Sequence, residues 1–189
     1  MSIIDTIVAG KDTAPAILAP ERPPLTHGAL RALIERTGST LAHHGIGHGD
    51  RVAIVLPNGP EMATAFLAVS SFATTAPLNP AYREDELDFY LKDIKAKAIL
   101  VIAEESGSPV AIAHHLKIAV LRIIPDPKAP AGTYTIEGPT AHAPVKPRMA
   151  EPNDIALLLH TSGTTSRPKL VQLSHADRKS TRLNSSHRT

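Results

Sequence analysis

The chain has 189 residues, of which 42% are hydrophobic and 20% charged, a composition that suits one medium core-forming domain, or one domain plus part of another, and excludes a disordered chain. It contains no cysteine, which excludes disulfides, thiolate metal sites and a cysteine nucleophile. Its net charge of +2 arises in the tail, because residues 177–189 hold four bases and one acid, leaving sixteen bases against seventeen acids before them; no nucleic-acid partner is implied.

The opening "MSIIDTIVAGKD" has neither a basic stretch nor a sustained apolar run, so no secretory leader is expected. The longest apolar runs, at 98–103 and 155–159, are too short to cross a bilayer, and the expectation is a soluble, cytoplasmic protein without a membrane span. Eleven of the seventeen prolines fall in two clusters, at 15–24 and 125–152, both read as loop or linker. From Thr26, a candidate N-cap, Leu30, Leu33, Ile34 and Leu41 recur at helical spacing until Gly45 stops the pattern. A short apolar strand follows at 52–56. "EMATAFLAVSSFA" is apolar nearly all round and predicts a buried helix, and "TTAPLNP" a brief extended piece. "REDELDFYLKDIKAK" predicts a third helix, with acids early and lysines late as the helix dipole favours. "AILVIAE" and "AVLRIIPD" read as strands on either side of a weaker helix near 109–118.

This alternation predicts an α/β fold, parallel strands with flanking helices. Between 126 and 152 the pattern dissolves, with "GTYTIEG" as one short strand inside it. "DIALLLH" then predicts an apolar strand and "LVQLSH" a partly alternating one, and no internal repeat is present.

Between those last two strands lies "TSGTTSRPK". Gly163 can take backbone angles closed to other residues, so that successive N–H groups converge on one point and favour an anion. Thr161, Ser162, Thr164 and Thr165 add hydroxyls suited to phosphate oxygens or a magnesium ion, and Lys169 adds a mobile point charge. Arg167 either adds another charge or faces solvent. The Walker pattern is absent, and the loop joins two strands instead of a strand and a helix. On these residues alone, a phosphate grip and a polar hairpin loop without a ligand both stand.

"HTSGTTSRPK" resembles the signature loop of the adenylate-forming (AMP-binding) acyl-CoA synthetase family. The resemblance extends back through "THGALRALIERTGSTLAHHGIGHGDRVAIVLPNGPEMATAFLAVSSFATTAPLNPAYREDELDFYLKD", in the family's order, over roughly residues 10–176. "APLNPAYREDELDFYLKD" and Ser166-Arg167 resemble the oxalate–CoA ligase-like branch. The resemblance implies the N-terminal part of the family's large α/β domain, ending in a strand, the phosphate loop and a second strand. It further implies a two-step acid–thiol ligase. A carboxylic acid and ATP with Mg2+ give an acyl-adenylate, and coenzyme A, as co-substrate, then displaces AMP. Matched residue by residue, Thr161, Ser162, Gly163, Thr164, Thr165 and Lys169 are implied to grip the β- and γ-phosphates. Leu170 stands where the family usually has glycine, an unfavourable choice if the backbone there needs a positive φ.

No metal ligand is assigned in the chain itself, and the catalytic residues are expected beyond 176, so the chain as written is expected not to turn over. Residues 1–176 are read as part of the AMP-binding domain. Residues 177–189 are read as a disordered tail, since "DRKSTRLNSSH" matches the in-frame translation of a sequencing-library adapter. Two rival readings are an adenylation domain loading a carrier protein and a non-catalytic phosphate- or nucleotide-binding module. The oligomeric state is left open. His43, His44 and His48 read as surface histidines, His114 and His115 diverge on a helix, and Glu84, Asp85 and Glu86 form a solvated first turn. His160 is either a packed strand-end residue or part of the nucleotide site.

Overall fold

A computed structural model of the chain describes residues 5, 7, 9–140, 143–161 and 168–177. Two short strands, β1 (Pro15–Ile17) and β2 (Leu25–Thr26), pair antiparallel, so the first proline cluster, read from sequence as loop, holds a strand at its start. Prolines are tolerated there because an edge strand leaves half its N–H groups out of the ladder. Helix α1 (His27–His43) starts where expected: the Thr26 hydroxyl accepts a hydrogen bond from Ala29 N at 3.2 Å. Gly45, at φ 76, carries the chain out of it.

The strands then alternate with helices in the anticipated way. β3 (Arg51–Val55), α2 (Pro60–Ser70), β4 (Thr74–Pro77), α3 (Glu84–Asp93), β5 (Ala98–Ile102), α4 (Ser108–His115) and β6 (Ala119–Pro125) follow in order. β7 (Tyr134–Glu137), β8 (Ile155–Thr161) and β9 (Lys169–Ser174) complete the set. α3 is shorter than its charge pattern predicts, because Lys95, at φ 51, turns the chain towards β5.

One seven-stranded sheet has the order β7-β6-β5-β3-β4-β8-β9. The strands from β6 to β8 in that order run parallel, and β7 and β9 are antiparallel edges. Parallel strands are covered on both faces, which is why they read as continuous apolar runs. α1 and α2 bury Leu30, Leu33, Leu41, Ala65 and Val69 against Ile54 and Leu100 on one face. α3 and α4 bury Leu87, Leu91, Val110 and Ala113 against Val55, Ile99 and Val101 on the other.

The last two strands join the sheet through few links. β8 meets β4 at a single ladder pair, Thr75↔Leu157. Threonine hydroxyls add to it: Thr74 Oγ1 donates to Ile155 O at 2.8 Å and Thr75 Oγ1 to Ala156 O at 2.6 Å. Both threonines are buried, so their hydroxyls need these partners.

Candidate phosphate site

Parallel α/β sheets bind ligands beyond the carboxyl ends of their strands. "TSGTTSRPK" leaves the sheet at that end, from the last residue of β8. β8 and β9 form an antiparallel hairpin whose outermost ladder pair is Thr161↔Lys169. Thr161 and Lys169 are exposed, and the Thr161 hydroxyl donates to Lys169 O at 3.4 Å. The structure therefore brings the first and last candidate residues of the loop together at its mouth. Ser162, Gly163, Thr164 and Thr165, and with them Arg167, lie outside the described residues.

Leu170 pairs with His160 in the extended ladder and packs its side chain towards Leu158 and the α3 face. It is not among the residues with positive φ, so the strain that replacing a glycine could have caused does not arise.

Just inside the mouth, the His160 side chain is 5% exposed, which makes it a packed residue. Its Nε2 lies 2.8 Å from Asp93 Oδ2, at the end of α3. Its ring lies 4.5 Å from that of Tyr90 and 6.2 Å from that of Phe89. Burial, then the charge and hydrogen bond of Tyr82, push the Tyr90 hydroxyl's pKa up from its ordinary value. Sequence reasoning named His160 but missed its partners, because Asp93 is 67 residues away, at the end of a separate helix.

The other histidines scatter. His48 Nε2 pairs with Asp154 Oδ1 at 2.8 Å, while His44 Nδ1 bonds the Pro139 carbonyl at 2.8 Å. Among the described residues no group of three or more His, Asp or Glu is placed to hold a metal ion. Glu84, Asp85 and Glu86 occupy the first turn of α3, where Glu86 Oε2 accepts from Arg83 N at 3.0 Å. A cavity of about 490 Å3 is lined by Arg51, Thr74 and Ile155, the first residues of β3, β4 and β8. It extends along the hairpin to Asp93, Leu158 and Leu170, beside His160.

Among the described residues no helix is long and apolar enough to cross a membrane. The family model described as "AMP-binding enzyme" matches residues 5–187. The chain is 37% identical over 163 residues to a probable CoA ligase of Humulus lupulus, covering 84% of this chain and 31% of that protein. It is 41% identical over 152 residues to an oxalate–CoA ligase of Arabidopsis thaliana, covering 79% of this chain and 30% of that protein. Among solved structures, ATP-bound MatB of Rhodopseudomonas palustris superposes with a TM-score of 0.71 at 26% identity, covering 97% of this chain and 37% of that one. The chain thus spans about a third of the length of these two CoA ligases.

Proposed function

We propose a function from one premise: the chain belongs to the AMP-binding enzyme family. On it, the loop from Thr161 to Lys169 grips the β- and γ-phosphates of Mg-ATP within an acid–thiol ligase. A carboxylate attacks the α-phosphorus and pyrophosphate leaves; the thiol of coenzyme A then displaces AMP from the acyl-adenylate. The chain's part in the first step is positioning and charge neutralisation. Thr161, Ser162, Thr164 and Thr165 would donate hydroxyl hydrogen bonds, Gly163 would let the backbone approach, and Lys169 would place a cation. The observation that carries this reading is the closed hairpin mouth, with Thr161 and Lys169 paired at the carboxyl end of β8.

The test is calorimetric titration of the 189-residue chain with Mg-ATP. Lys169→Ala should weaken binding by about tenfold or more, the worth of a charge-assisted hydrogen bond. Equal affinity in the variant sinks the phosphate grip. The chain by itself should form no CoA thioester, and detection of one would refute that expectation.

For the acid we propose oxalate, supported by the 41% identity to the Arabidopsis thaliana enzyme. In a protein of the relatives' length carrying this chain, oxalate should outcompete fatty acids as the substrate joined to coenzyme A. Transfer to a carrier protein instead of free coenzyme A would favour an adenylation domain. ATP and coenzyme A as substrates also support a cytoplasmic site of action. Residues 177–189 remain, in this proposal, translated adapter, although the family match runs to residue 187. An independent read of the source DNA across codon 176 decides it: new family motifs in frame support the adapter origin, and the same thirteen codons overturn it.

A further inference from the structure

The β8–β9 hairpin carries the loop, and its hydrogen bonds to β4 are one ladder pair and two threonine hydroxyls near its base, with Ala156, Leu158 and Leu170 packed into the core above them. At the loop end, His160 provides a further link, and it is heavily invested. The chain has only three phenylalanines and three tyrosines, yet Phe89, Tyr90 and Tyr82 stand together here. The Tyr90 ring lies 4.8 Å from Tyr82 and 4.5 Å from His160. An ionised carboxylate only accepts, so the 2.8 Å contact with Asp93 requires His160 Nε2 to carry the proton. The carboxylate thereby fixes both the tautomer and the ring orientation. His160 faces Leu170 across the ladder, and the next pair outward is Thr161↔Lys169.

We propose that His160, held by Asp93 and seated on Tyr90, is a positioning residue for the phosphate loop: it ties the loop's two stems to the end of α3. The inference rests on the proposed grip of Mg-ATP. A strand end held only by its ladder would sample a range of angles, and a bound phosphate would have to select one, lowering affinity. With the pair in place, Thr161 and Lys169 enter binding already aligned. No touch of the nucleotide by His160 is required.

The test titrates the 189-residue chain and its variants with Mg-ATP and, separately, with inorganic tripolyphosphate, which offers the loop phosphates alone. His160→Phe keeps the aromatic packing and loses the donor, whereas His160→Gln keeps an amide donor near Nε2. His160→Phe and Asp93→Ala should each weaken both ligands by roughly tenfold, the scale seen when an orienting partner is removed. The double variant should be no weaker than either single one, because the two act as one unit. His160→Gln should stay within about threefold of the parent, a rescue that a merely space-filling histidine would not show. Thermal melts of every variant accompany the titrations, with Asp93→Asn replacing Asp93→Ala should the latter not fold.

Parental affinity in His160→Phe, additive losses in the double variant, or losses that follow the melting midpoint instead of the donor each overturn the inference while leaving the phosphate grip intact. A parent chain that binds neither ligand overturns the grip, and the inference with it.

Discussion

His175, the residue after β9, is fully buried, and neither ring nitrogen has a hydrogen-bond partner among the described residues. The Ser70 main chain and, farther off, Asp154 and Asp5 favour the imidazolium, but burial outweighs them and holds the pKa below its ordinary 6.5. The folded chain therefore takes up a proton on His175 less readily than the unfolded chain, which does so below about pH 6.5. Stability from this residue is complete above that pH and falls as the pH drops towards the lower folded value. Urea midpoints between pH 7.5 and pH 5.5 should fall more steeply in the parent than in His175→Gln; parallel slopes would disprove the effect. Asp154 acts in a separate window. Burial works to raise its pKa, but bonds from Glu151 N, His48 and Arg148, together with the His48 charge, hold it at about 2. Its contribution is present above the ordinary 3.8 and is lost as the pH falls towards 2. At Tyr134, burial pushes the phenol up to about 12 despite the Thr37 bond, so the hydroxyl stays protonated and bonded to Thr37 Oγ1 at 3.2 Å. Tyr134→Phe should cost about 1 kcal/mol in a urea melt, with Thr37 left buried and unpaired.

Elements show where local and tertiary forces part. Thr26 was legible as a cap from its own neighbourhood, and Thr26→Ala should cost about 1 kcal/mol of stability. Gly38, inside α1, argues the other way. Alanine there improves helix propensity by up to about 1 kcal/mol. A Cβ at Gly38 would however lie 2.3 Å from the Phe72 ring that follows α2. Overpacking of this kind costs about 1–3 kcal/mol, so Gly38→Ala should lower the melting midpoint; a rise would show that Phe72 moves aside freely. The helix pattern around Gly38 gave no hint of this, because the ring arrives from another element. The β8–β9 hairpin was likewise legible as two strands, yet its attachment through Thr74 and Thr75 was not. Thr75→Val should loosen that attachment, with faster amide hydrogen exchange in β8 than in β5 as the signature.

For the whole molecule, the sheet ends on one side at β9, an edge strand. Leu157 faces Leu173 and Leu159 faces Val171 across the hairpin, and all four are only half-buried. An apolar face beside an open edge favours association, so the 189-residue chain should grow in mass with concentration under light scattering. A monodisperse, cooperatively melting monomer would count against this.

The α/β class and most of the strands and helices followed from the sequence by itself, since apolar periodicity and caps act between near neighbours. The strand order, the pairing of Thr161 with Lys169 and the union of His160 with Asp93 were decided only in the tertiary structure. Each joins segments through sheet topology, and the partner of a side chain 67 residues away is set by how the sheet brings β8 beside α3, which no local pattern encodes.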